Sequence, residues 1–195
     1  MRSSNSASAV RDAIYARRSV RSYTGEKLTE AAVRELLAAA VRAPTAIHEE
    51  PWQFLIVQND ATLRQLSDRA KALFAGEVSR LHLDRDSRAL EVFSQPDFNV
   101  FYDAGTLIVI CARPMGPFVV ADCWLAAENL MLAAHALGLG SCVIGSAVGA
   151  LNAPEVKREL GIPADSTAVA PVIVGTPKGE WPPTARRPPQ ILGWG

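Results

Sequence analysis

Arg17-Arg18-Ser19-Val20-Arg21, followed by Ala43-Pro44-Thr45-Ala46 and then Pro51-Trp52-Gln53-Phe54, is the stretch on which the reading of this chain turns. Val20 is the only apolar member of the first run, so the run is not a core face. Guanidinium groups present rigid forks of donors and Ser19 adds a hydroxyl, a set that suits phosphate or another anion. Taken alone, the run is equally compatible with a solvated charged surface, as most short basic runs are.

Outward from this stretch the chain alternates helical and extended patterns. Val10 to Ala16 reads as a short helix that delivers the arginines. Val33, Leu36, Leu37, Ala40 and Val41 repeat with helical spacing behind Thr29, a suitable N-cap, and Pro44 stops that helix. Phe54 to Val57, Thr106 to Cys111 and Ala168 to Val174 are short apolar runs that predict buried strands. Asp60 is expected to cap a helix through Leu63, Leu66, Ala70 and Phe74. Residues 76–102 are polar, end in aromatics, and are the hardest stretch to read: a helix followed by a mobile loop is the expectation. A long helix from about Phe118 to Leu137 is apolar nearly all round, which predicts burial in a core and against a second subunit. Gly138 and Gly140 end it, Ser141 to Gly145 is a short strand or turn, and Pro154 opens a last helix to Leu160. The tail from Thr176 holds Pro177, Pro182, Pro183, Pro188 and Pro189, and is expected to be extended and to wrap over another surface.

Composition narrows the classes. The 195 residues carry 20 basic and 20 acidic side chains, so general nucleic-acid binding is not expected. Cys111, Cys123 and Cys142 form no CxxC pair and suit a reducing, cytoplasmic setting. His48, His82 and His135 are too scattered for a metal site. Asp122, Glu128, Asn129 and His135 interrupt the long apolar stretch, which argues against a membrane span. The N-terminus has no apolar core of a secretory signal. Residues 1–8 are read as a flexible tail and residues 9–195 as one domain with an extended C-terminal segment.

These segments, in order, resemble the FMN-dependent nitroreductase family. The resemblance rests on the opening stretch, on Leu137-Gly138-Leu139-Gly140-Ser141-Cys142 with the Gly145 turn, on Pro171-Val172-Ile173-Val174-Gly175-Thr176-Pro177, and on Arg186-Arg187-Pro188. It implies an α+β fold, a mixed but mostly antiparallel sheet flanked by helices, in an intertwined homodimer with FMN at the interface. It implies that Arg17, Arg18, Ser19 and Arg21 supply phosphate and ring-edge donors, with Arg186 or its neighbour Arg187 as a late phosphate ligand. Pro44, Thr45, Ala46 and His48 would lie along the flavin, and Ile144, Gly145 and Ser146 would face its reactive side. A cation near the N1–C2=O end of the ring would favour negative charge there. Pro44 and Gly145 are equally explained as an ordinary helix stop and turn glycine.

The implied activity is reduction of nitroaromatics, quinones or similar electron-poor small molecules, with NADH or NADPH as reductant in a ping-pong cycle. No catalytic side chain is required, because the flavin carries the hydride. Phe98, Phe101 and Trp181 are candidate contacts for the acceptor. No GxGxxG fingerprint is present. The chain departs from its relatives at His48, where Asn is usual, and at Glu50, where Gln is usual. His48 can take a proton near neutral pH and is a speculative acid. Other members of the superfamily dehydrogenate azolines, dehalogenate tyrosines or fragment flavin, and a non-catalytic flavin carrier or sensor has the same motifs.

Overall fold

The computed structural model describes residues 4–81, 88–93, 95–182 and 184–194. Four strands form one antiparallel sheet in the order β1-β2-β4-β3, with β1 at Trp52–Val57, β2 at Thr106–Ala112, β3 at Gly140–Val143 and β4 at Thr167–Gly175. The helices among the described residues are α1 (Ser4–Ala16), α2 (Glu30–Ala40), α3 (Asp60–Leu81), α4 (Arg88–Phe93), α5 (Val119–Ala136), α6 (Val148–Leu151) and α7 (Pro154–Leu160). The fold is α+β, as the resemblance implied. The sheet is antiparallel throughout rather than mixed; outside its strands one isolated parallel bridge, Ser19 with Ser141, lays the arginine segment along β3.

Strand β2 explains the layering. All seven of its residues are buried. Successive side chains of a strand point to opposite faces. Leu107, Val109 and Cys111 join a core with α3, α6 and α7, while Ile108, Ile110 and Ala112 join a second core with α2 and α5. A continuous apolar run is what a strand covered on both faces requires, and each fully buried Leu or Ile contributes about 1.5–3 kcal/mol.

Several sequence expectations change in detail. Helix α1 begins at Ser4, before Val10, and takes in part of the stretch read as a tail; residues 1–3 lie outside the described residues. Thr29 caps α2 as expected, its hydroxyl accepting from the Ala32 amide at 3.2 Å. For α3 the cap is Asn59 and not Asp60: Asn59 Oδ1 accepts from the Thr62 amide at 3.0 Å, while Asp60 is the first helical residue. That helix runs on to Leu81, so the first part of residues 76–102 is helical. The readings at His82 and Pro183 lie outside the described residues. Helix α5 ends where expected, because Gly138 takes φ +74°. Leu139 N–H then donates to Ala134 O at 2.8 Å and Gly138 N–H to His135 O at 3.0 Å, closing the orphan carbonyls.

Burial also sets the chemistry of the cysteines. Cys111, Cys123 and Cys142 are free and buried. Burial, the largest influence, pushes Cys111 up to about 11 and Cys123 up to about 12. The fold therefore holds protons that the unfolded chain releases above about 9. Stability is fully present below that pH and is lost as the pH rises towards 11. Thermal melts from pH 7 to 11 should show a Tm falling only above about pH 9; a flat profile to pH 11 would contradict the assignment. No helix among the described residues is long and apolar enough to cross a membrane.

Candidate functional site

The arginine segment owes its geometry to the edge of the sheet. Past Ala16 the chain is extended, Val20 N–H donates to Ser141 O at 3.0 Å, and Thr24 N–H donates to Thr176 O at 3.1 Å. Val20 is buried and packs on Gly140. In an extended run alternate residues share a face. With Val20 turned inward, Arg17, Ser19 and Arg21 fall together on the other side.

All three side chains act on Cys142 of β3: Ser19 and the charges of Arg21 and Arg17 favour its thiolate, while the thiol itself donates to Val143 O at 3.5 Å. Burial dominates and raises the Cys142 pKa, while the cations oppose it. Tyr102 stands next to the same arginine: burial raises its pKa, and the charge and hydrogen bond of Arg21 pull it down. Arg17 is only 18% exposed, and its Nε is 3.5 Å from Glu128 Oε1. That Nε is buried and makes no hydrogen bond. Arg18 behaves differently from the expectation. Its guanidinium donates to the carbonyls of Tyr15 (2.7 Å), Arg17 (2.6 Å) and Pro182 (3.2 Å), so it ties the end of α1 to the C-terminal tail.

Two cavities flank this segment. One, of about 370 Å³, is lined by Arg21, Tyr23, Phe98, Tyr102 and Lys178, and also by Asp97 and Asp103. The other, of about 250 Å³, is lined by Arg17, Arg18, Trp181, His135 and the Gly138–Ser141 backbone. Trp181 Nε1 is buried with no partner, as Arg17 Nε is. Both residues line this cavity, and each keeps a buried donor without a hydrogen bond just behind its wall.

Of the aromatic candidates, Phe98 lines the larger cavity and meets Tyr102 edge-on at 5.5 Å. Trp181 lines the smaller one. Phe101 is corrected: it is wholly enclosed in the first core. Tyr102, at φ +52°, turns towards the cavity in its place. Tyr102 and Lys178 were missed by sequence reasoning, because neither stands in a basic or apolar pattern that marks a site.

The remaining candidates fall elsewhere. Ile144 is buried in the first core and its N–H is taken by Pro171 O at 2.8 Å, so its side chain faces no cavity. Gly145 opens a short 3-10 turn through Ser146 to Ala147. Its φ is not left-handed, and a Cβ there would meet open space. The backbone therefore does not require glycine, and the space above it is free. Arg186 and Arg187 are exposed on the tail, and no hydrogen bond or ion pair to other described residues involves them.

Pro44, Thr45, Ala46 and His48 form a loop at the other end of α5. The Ala46 amide donates to Asp122 Oδ1 at 3.2 Å in the first turn of that helix. The smaller cavity touches α5 at His135. Thirteen residues at helical rise separate the two by about 20 Å. Ile47, His48 and Glu50 all have left-handed φ, at +48°, +59° and +46°. Such a run of non-glycine residues costs about 1–3 kcal/mol each and marks a loop whose shape is over-determined by its surroundings.

Comparison with known proteins meets this geometry. Residues 14–176 match the model of the nitroreductase family. The chain belongs to the nitroreductase family. A relative from Archaeoglobus fulgidus, provisionally named NADH dehydrogenase/NAD(P)H nitroreductase, is 31% identical over 168 residues, 86% of this chain and 84% of that one. The crystal structure of a nitroreductase with bound FMN from Bacteroides fragilis superposes with a TM-score of 0.79 at 29% identity, over 94% of this chain and 97% of that one. An iodotyrosine deiodinase bound to FMN and 3-iodo-L-tyrosine superposes with a TM-score of 0.69 at 23% identity, over 93% and 97%, which is a likeness of fold alone.

Proposed function

We propose that this nitroreductase-family chain is an FMN-dependent oxidoreductase that takes reducing equivalents from NADH or NADPH and passes them to an electron-poor small molecule. One observation carries the reading: the extended arginine segment runs between two cavities, with Arg21 lining one and Arg17 the other beside Trp181, and Arg17 and Trp181 each keep a buried donor without an acceptor. The residues present fit FMN. Arg17 Nε and Trp181 Nε1 offer hydrogen bonds that phosphate oxygens would accept, and Ser19 lies in the same run. Arg21, with Lys178 and Tyr102, would hold the polar edge of the ring in the larger cavity and bias charge towards it. The open space at Gly145 would admit the flat ring to the backbone of the turn. When bound, FMN supplies the hydride chemistry. Phe98 and Tyr102 would offer apolar rings to an aromatic acceptor, and His48 and Ser146 would stand at the rim of the completed site.

The working unit is a homodimer. The buried face of α5 is matched by an outward face that exposes Val120, Trp124 and Leu125, and α1 exposes Val10, Ile14 and Tyr15. Ile191, Leu192 and Trp194 of the tail are exposed as well. These surfaces suit a second copy, as does the loop that one chain holds about 20 Å from its own smaller cavity. A partner's Pro44–His48 loop would complete the flavin site, and the tail carrying Arg186 and Arg187 would wrap across.

The test is the visible spectrum of the purified protein with FMN, followed by anaerobic NADPH and NADH. A bound-flavin spectrum that bleaches with either nucleotide is expected. Bound flavin that resists both would point to a carrier or sensor, and no bound flavin would overturn the reading.

A further inference from the structure

Asp122 is the least economical residue in the second core. Its side chain belongs to a residue only 2% exposed, among Val119, Cys123 and Ala126. One oxygen accepts from Ala46 N–H at 3.2 Å, and the other, Oδ2, is buried without a hydrogen bond. A buried carboxylate with a single partner is costly, and the first turn of α5 offsets only part of that cost. Side chains of Asp122's size and no charge would pack at that position more cheaply. The bond it does make crosses 76 residues to a loop that, alone among the described residues, carries three left-handed non-glycine residues. On the far side of the same loop, Arg113 donates to Glu50 O at 2.9 Å and its N–H to Pro51 O at 2.9 Å. The loop is thus pinned at both ends, by a carboxylate at Ala46 and by an arginine at Glu50.

We propose that Asp122 is a positioning residue: through the Ala46 amide it holds the Pro44–Glu50 loop in its strained shape, and through the loop it sets flavin affinity. The second half rests on the FMN reading above, and the first does not. Two readouts separate them. Amide exchange over residues 43–50 of the flavin-free protein reports the loop itself. FMN titration by fluorescence quenching reports the consequence.

Asp122→Ala is expected to raise exchange over residues 43–50 by tenfold or more, with the sheet unchanged, and to weaken FMN binding at least tenfold. Asp122→Asn keeps an acceptor oxygen at the same reach and should hold both values within about threefold of the parent. Should the alanine variant not fold, Asp122→Ser replaces it, since serine suits a first helical turn but is too short to reach Ala46. Unchanged loop exchange in the shortened variants overturns the proposal. So does an asparagine variant as impaired as alanine, because charge and not the acceptor would then be at work. If the parent protein binds no FMN, the flavin reading fails while the exchange measurement still decides the role of Asp122.

Discussion

Replacing Arg17 by alanine will weaken FMN binding by roughly 10- to 150-fold while leaving riboflavin binding nearly unchanged. The Arg17 side chain is four-fifths buried, its Nε has no hydrogen bond, and the residue lines the smaller cavity beside Trp181. A hydrogen bond to a charged group is worth about 1.5–3 kcal/mol, which converts to that range of affinity. Riboflavin lacks the phosphate, so it forfeits nothing when Arg17 is removed. Glu128 is half-exposed and can return to solvent when its partner goes, so the fold should not suffer comparably. Parallel fluorescence titrations with the two flavins make the comparison. Equal losses for both would place Arg17 away from the phosphate. The same truncation at Arg18 should instead act on stability, because its donors serve the carbonyls of Tyr15, Arg17 and Pro182.

The second large effect is expected at Gly140. A Cβ built there would lie 2.8 Å from Val20 Cβ and 2.9 Å from both of its methyl groups. Val20 is anchored by its backbone bond to Ser141, so it cannot swing aside without moving the arginine segment. Gly140→Ala should therefore cost about 1–3 kcal/mol as overpacking, or a Tm lower by roughly 2–12 °C. It should also displace Arg17, Ser19 and Arg21 from Cys142 and weaken flavin binding. The decisive control is the double variant with Val20→Gly, which removes the obstructing Cβ together with both methyls. Its loss should be smaller than the sum of the two single losses by at least about 0.5 kcal/mol. Strict additivity would show that the two side chains do not collide.

Much of the architecture is legible without tertiary information, because it is local. Hydrophobic spacing along α2 and the apolar run of β2 depend on neighbours within a few residues, as do Pro44 ending a helix and the left-handed Gly138. The shared face of Arg17, Ser19 and Arg21 follows from alternation once the run is extended, so the core of the candidate site could be named in advance. The expected α+β fold and the family rested on the same ordered segments.

What the chain-local pattern could not decide is which groups meet across long separations. Arg18 looked equivalent to its neighbours until a carbonyl 164 residues away took its guanidinium. Phe101 and Tyr102 are adjacent aromatics, and only the left-handed turn at Tyr102 sends one into the core and the other to the cavity. Trp181 joins Arg17, and Asp122 reaches Ala46, through packing of elements that no periodicity relates. Sequence by itself determined α2, α5 and α7, the strands β1, β2 and β4, and the arginine face, because backbone sterics and side-chain alternation act within a few residues. Tertiary structure alone decided which donors are spent on the fold and which are left for a ligand, because a hydrogen bond forms only where packing brings its two ends together.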